Sequence, residues 1–180
     1  MADVFPPAPI IETFARYGFR KTSMDELARA ADVSRQSLYN HFKSKEELFD
    51  WATRSVVEAS LTDALRHLSN PRQTLVQRIN AALDSWAGQH IEVMRGSPHG
   101  PEIIVMTRSA LPERARQAER RLITAMADAI RISGPGAAVP RAGSLAQALC
   151  WTAKGLVHAA PDHAAFCREL DHILSALLAR

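Results

Sequence analysis

The stretch Thr22–Lys45, TSMDELARAADVSRQSLYNHFKSK, decides how this chain folds. It opens on Ser23-x-x-Glu26. In that pattern an N-cap hydroxyl and a carboxylate three residues later satisfy free backbone amides at a helix start. Met24, Leu27, Ala28 and Ala31 follow at helical spacing and make one apolar face. Asp32-Val33-Ser34 interrupts that face with a residue tolerant of left-handed backbone, an apolar plug and a new N-cap. In the next helix Leu38 and Phe42 lie four residues apart and point inward, which leaves Arg35, Gln36, Ser37, Tyr39 and Asn40 outside. A second capping pattern, Ser44-x-x-Glu47, starts the helix after it. Two short helices, a tight turn, one buried face and one polar face are the parts of a helix-turn-helix.

Upstream of this stretch, Pro6, Pro7 and Pro9 make an extended lead, and Ile10, Ile11, Phe14 and Ala15 stripe a helix from about Pro9 to Tyr17 that ends at Gly18. Downstream, the Ser44 helix carries Leu48, Ala52, Val56 and Ala59. Asn70-Pro71 reads as the next helix start, because proline in the first turn loses no hydrogen bond. Leu75, Ile79, Leu83 and Trp86 stripe that helix. A breaker-rich loop at 95–101 precedes a short apolar helix around Ile103–Met106, and Leu111-Pro112 opens another helix. Residues 133–143 are the most linker-like, and two helices close the chain on either side of Pro161. The expectation is an all-α fold of about nine helices. It divides into a helix-turn-helix unit over 1–46 and a larger helical unit over 47–180.

Composition supports this reading. Of 180 residues 47% are hydrophobic and only 6% aromatic, a mixture that favours helices over sheets. The net charge of +3 is unevenly spread. Residues 1–50 carry seven basic and eight acidic side chains, whereas 20–45 carry six and three. Any DNA contact therefore depends on local placement and not on a generally basic domain. No apolar run is long enough to cross a membrane, and the N-terminus has no signal-peptide pattern, so the cytoplasm is expected. Cys150 and Cys167 form no CxxC pair and read as small apolar side chains in a reducing compartment.

The outward set of the second short helix has the chemistry of base readout. Arginine pairs bidentately with guanine, and glutamine or asparagine with adenine. Tyr, Ser and Lys suit phosphate oxygens. A solvated face on an ordinary bundle would use the same spacing. The pattern from Phe14-x-x-x-Gly18-Phe19 through Thr22-Ser23, Leu27-Ala28-x-x-Ala31-x-Val33-Ser34 and Leu38-Tyr39-x-His41-Phe42 to Ser44-Lys45-Glu46-x-Leu48 resembles the N-terminal signature of TetR/AcrR-type regulators. The resemblance implies an all-helical homodimer that binds a palindromic operator in double-stranded DNA and dimerises through its last two helices. It further implies repression relieved by a small-molecule effector. It places Thr22 and Ser23 on phosphate, Arg35, Gln36, Ser37 and Asn40 at base edges, Tyr39 and His41 on the backbone, and Lys45 on phosphate at a helix N-terminus. Asp32 and Gln36 stand where glycine is frequent in that family, and the lead lacks a basic arm.

Elsewhere, Trp86, His90, Met94, Met106, Met126, Trp151 and His158 are the candidate liners of an effector pocket, since Trp and Met adapt to apolar ligands. Each also suits an ordinary core. His158, Asp162 and His163 lie close across the Pro161 break but read as helix-end residues, so no metal and no cofactor is assigned. No nucleophile elbow, HExxH or phosphate loop is present, so no enzyme activity is expected. The alternatives are a helical protein–protein adaptor without DNA binding and, further off, a small helical enzyme.

Overall fold

The structure, a computed structural model, describes residues 5–110, 112–136 and 138–178, without the side chains of residues 94, 108–110 and 112. Among these residues every regular element is helical: α1 (Pro7–Tyr17), α2 (Met24–Ala30), α3 (Arg35–His41), α4 (Lys45–Leu68), α5 (Leu75–Trp86), α6 (Ile91–Gly96), α7 (Gly100–Ala110), α8 (Pro112–Ser133), α9 (Ala142–Ala159) and α10 (His163–Leu178). Short 3-10 turns lie at Gly88–His90 and Val139–Arg141.

The described chain forms two compact units. The first holds residues up to Glu58 together with Glu92–Ala115. The second holds Ala59–Ile91 and the residues from Arg116 onward. The chain therefore passes between the units inside α4, at the start of α6 and inside α8.

In the first unit, α1 begins at a proline and stops at Gly18, whose φ of +84° only glycine adopts without strain. The Gly18 amide donates to Phe14 O at 2.8 Å. A Cβ at Gly18 would also come within 3.1 Å of the His99 ring. The His99 amide in turn donates to Ala15 O, which ties the start of α7 to the end of α1. Phe14, Ile10, Leu27, Leu38 and Leu48 are fully buried in one core, and Ile103 joins it from α7. Each such side chain contributes about 1.5–3 kcal/mol by leaving water. Rings dominate: Phe14 stacks on Phe19 at 5.3 Å and meets Phe49 edge-on at the same distance.

In the second unit, α10 packs against α5 and α9. Ile79, Leu83, Leu122, Met126, Phe166 and Leu170 are fully buried. Gly88 is what allows the closest approach, because a Cβ there would fall 2.5 Å from the Phe166 ring. The start of α5 departs from expectation. It begins at Leu75, not at Pro71. Thr74 and Gln77 form a complete capping box, and the Asn70 side chain accepts the Arg72 amide, which holds 70–73 in a turn. Two side-chain hydrogen bonds at Thr74 outweigh a proline that merely tolerates a helix start.

Candidate nucleic-acid interface

Local hydrogen bonding builds the helix-turn-helix. The Ser23 amide and hydroxyl both donate to Glu26 Oε2 at 2.8 Å, and the Glu26 amide donates back to Ser23 Oγ at 3.3 Å. These bonds hold the Glu26 carboxyl below the usual carboxylate range, the backbone bond most strongly. At the other end of α2, Asp32 takes φ +55°. Its amide donates to Arg29 O, and the Val33 amide reaches back five residues to Ala28 O at 3.0 Å. That pair of bonds is a Schellman motif with aspartate in the left-handed position. Val33 then packs on the core beside Leu27 and Ala28, which sets the turn between α2 and α3.

Ser34 caps α3 by accepting the Ser37 amide at 3.0 Å. Leu38 is fully buried and Phe42 nearly so. These two anchors leave Arg35, Gln36, Tyr39, Asn40 and His41 exposed on α3, with Ser37 half-buried. The exposed side chains are partly engaged with one another. Arg35 Nε lies 3.0 Å from Asp25 Oδ1, and Nη1 donates to Oδ2 at 3.2 Å. The same guanidinium sits 5.4 Å from the centre of the Tyr39 ring. Gln36 Nε2 donates to Asn40 Oδ1 at 2.9 Å. His41 Nδ1 lies 2.9 Å from Ser37 O, and its ring packs edge-on against Phe5.

The two residues expected at the start of α2 differ in exposure. Ser23 is exposed, whereas Thr22 is 1% exposed and its hydroxyl donates to Gly18 O at 2.7 Å. Lys45 Nζ donates to Arg20 O and Thr22 O at 3.2 and 3.0 Å and sits 4.9 Å from the Phe19 ring. It thus joins the first turn of α4 to the segment between α1 and α2. Sequence reading missed four partners here: Asp25 for Arg35, Phe5 for His41, and the carbonyls of Arg20 and Thr22 for Lys45. None of these contacts leaves a periodic signal in the sequence, and Asp25 itself reads only as an acidic residue in the first turn of α2.

The candidate pocket residues differ in burial. Met106 packs against the first unit's core. Met126 is fully buried in the second unit, Trp86 and His90 are half-buried, and Trp151 and His158 are exposed. The Met94 side chain lies outside the described residues. Burial holds the His90 imidazole below its ordinary range, against a weaker upward pull from Asp84. An open groove of about 440 Å³ in the second unit is lined by other residues, among them Leu65, Gln117, Arg120, Thr124 and Asp128. His163 turns away from the Pro161 break to Asp84. Burial and the neighbouring Glu119 push the Cys150 thiol up to about 12. No helix of the described residues is long and apolar enough to cross a membrane.

Comparison with known proteins agrees with this geometry. The family described as bacterial regulatory proteins, tetR family, matches residues 10–51. The "Uncharacterized HTH-type transcriptional regulator YezE" of Bacillus subtilis is 28% identical over 104 residues, 52% of this chain and 54% of that protein. The "Probable acrEF/envCD operon repressor" of Escherichia coli is 34% identical over 79 residues, 41% of this chain and 35% of that protein. The chain thus spans about half or less of the length of these curated relatives. A transcriptional regulator from Rhodococcus superposes with a TM-score of 0.68 at 20% identity, covering 95% of this chain and 92% of that one. The matched residues are those that build α1 through the first turns of α4, and over them the chain is similar to the tetR family of bacterial regulatory proteins.

Proposed function

We propose that the chain is a homodimeric, sequence-specific DNA-binding transcriptional regulator, a repressor that leaves a palindromic operator when a small molecule binds it. One observation carries the proposal. α3 is pinned by Leu38 and Phe42 and presents Arg35, Gln36, Tyr39 and Asn40 to solvent on a turn with no slack. An α-helix held in this way fits the major groove, where arginine reads guanine and Gln or Asn reads adenine.

The free-state contacts on α3 pre-order these groups at little cost. An exposed ion pair such as Arg35–Asp25 is worth only about 0–1 kcal/mol, so a guanine or a phosphate can replace it. In this reading Arg35, Gln36, Ser37 and Asn40 face base edges, while Tyr39, His41 and Ser23 meet the backbone. Lys45 has one of its three N–H donors left for a phosphate, and buried Thr22 shapes the segment that Lys45 grips. The last two helices are the proposed dimer contact. Trp151 on α9 is 62% exposed and Leu177 on α10 is 48% exposed, and burying these large apolar side chains would favour such a contact. Ser144, Ala148, Trp151 and Gly155 fall on one exposed stripe of α9. Repression is supported by the name of the Escherichia coli relative. An effector that favours a recognition-helix spacing other than about 34–36 Å would release the DNA.

A gel-shift titration at graded salt on the DNA flanking the chain's own gene tests the proposal. A shift that weakens with salt is expected. Arg35→Ala should cost about 1–3 kcal/mol and relax preference at one operator position. No shift even at low salt would overturn the reading.

A further inference from the structure

One cluster of ligand-type side chains takes no part in the helix-turn-helix. His163 and Cys167 stand four residues apart on α10, and Asp84 meets them from α5 within the second unit. His163 Nε2 is 2.6 Å from Asp84 Oδ1. Cys167 Sγ is 3.5 Å from the same nitrogen and 4.0 Å from the same oxygen. One nitrogen, one oxygen and one sulfur thus lie within 4.8 Å of one another, all on half-buried residues.

The geometry separates two chemistries. A Cys–His–Asp proton relay uses the two ring nitrogens separately, one for the thiol and one for the carboxylate. Here a single nitrogen meets both, so the three atoms converge on a common point. Four-coordinate zinc holds nitrogen and oxygen at about 2.0–2.2 Å and sulfur at about 2.3 Å, which sets neighbouring donors about 3.3–3.6 Å apart at tetrahedral angles. The observed separations of 2.6, 3.5 and 4.0 Å straddle that spacing. A movement of the Asp84 carboxylate by under about 1 Å would open the first edge and close the last to reach it.

Two neighbours shape the place. A Cβ on Gly88, one turn beyond Asp84, would come within 2.3 Å of Oδ1, so glycine leaves the room that the carboxylate occupies. The Phe166 ring lies nearly parallel to His163 and gives the site an apolar wall. The donor set also decides the class of ion. Magnesium and calcium take oxygen ligands, whereas thiolate with imidazole selects zinc and its neighbours. We propose that Asp84, His163 and Cys167 are three ligands of a site for a divalent transition metal of the zinc class, with water completing the coordination. Such an ion would clamp α5 to α10.

Cobalt(II) titrated into the reduced full-length protein is the test, since cobalt reports thiolate ligation by colour. A thiolate-to-cobalt charge-transfer band that saturates at one equivalent, with strong tetrahedral d–d bands and displacement by zinc, is expected. Cys167→Ser should abolish the charge-transfer band. Asp84→Asn keeps a hydrogen-bond acceptor for His163 and should still weaken cobalt binding by more than about tenfold. Circular dichroism checks that both variants remain helical. Absence of the band in the folded protein overturns the proposal, as do d–d bands without charge transfer. So does a band that survives Cys167→Ser, which would belong to Cys150, or an Asp84→Asn variant with unchanged affinity. None of these outcomes depends on whether the protein binds DNA.

Discussion

Five of the six phenylalanines lie in the first unit, where Phe5, Phe14, Phe19, Phe42 and Phe49 touch one another or the adjacent Trp51. The second unit has a single phenylalanine, and among its buried aliphatic side chains it encloses many alanines, Ala64, Ala82, Ala127, Ala146 and Ala153 among them, with Gly88 against Phe166. Large rings fill space between short helices that cannot bury much surface each. Small side chains let longer helices approach closely along their length. The first arrangement orients α3 rigidly, because edge-to-face rings resist sliding. The second places side chains from distant helices within bonding distance, as at Asp84 and His163. It follows that the first unit should be damaged by subtraction and the second by addition.

The largest effect is expected from subtraction. Phe14 is fully buried and touches two other rings. Phe14→Ala should cost about 3–5 kcal/mol by urea denaturation, from lost transfer energy and the cavity left behind. A loss below about 1 kcal/mol would mean that the ring cluster collapses freely and does not orient α3.

Addition comes next. Gly88→Ala places a methyl carbon 2.3 Å from Asp84 Oδ1 and 2.5 Å from the Phe166 ring. Neither neighbour is the loose end of a long side chain. The expected cost is about 1–3 kcal/mol, typical of overpacking, whereas alanine for glycine in an open helix would stabilise. A more stable variant would show that α5 and α10 have room to part, and the contrast between the units would fail.

The same contrast explains what the sequence made legible. The helix-turn-helix is written in short intervals: Ser23 to Glu26, Ala28 to Val33, Leu38 to Phe42. Each physical cause lies within about one turn of its effect, so pattern reading reaches it. The exposed set on α3 was legible for that reason, and so was the left-handed Asp32. Its engagement with Asp25 was not, because a surface ion pair ten residues apart leaves no periodic trace. The second unit depends on contacts across the chain. His163 meets Asp84 across 79 residues, and the nearer Asp162 instead caps the Ala165 amide. Residues 92–115 join the first unit although they follow α5, which carries Met106 into a core that no local pattern announces. The start of α5 was misread even though its signal was local, because Asn70-Pro71 and Thr74-x-x-Gln77 compete within one turn and only one has reciprocal hydrogen bonds.

The smallest effect concerns the cap that begins α2, and it sharpens the claim that the first unit is locally determined. Ser23→Ala removes the hydroxyl that accepts the Glu26 amide and should cost about 0.5–2 kcal/mol. The Ser23 backbone amide still donates to Glu26, so the carboxylate keeps its main partner. The acid dependence should therefore outlast the hydroxyl. A carboxyl held below its ordinary range stabilises the fold at pH above that range, and the contribution fades as the pH falls through the lowered value. Wild type and Ser23→Ala should both show this acid loss, larger in wild type, where the hydroxyl also bonds the carboxylate. Glu26→Gln, which can still close a capping box but cannot titrate, should lack it. Stability measured across the carboxylate range checks the order of the three proteins. If Glu26→Gln lost stability in acid as steeply as wild type, the carboxylate would not be the group that couples α2 to pH, and the cap would act through the hydroxyl alone.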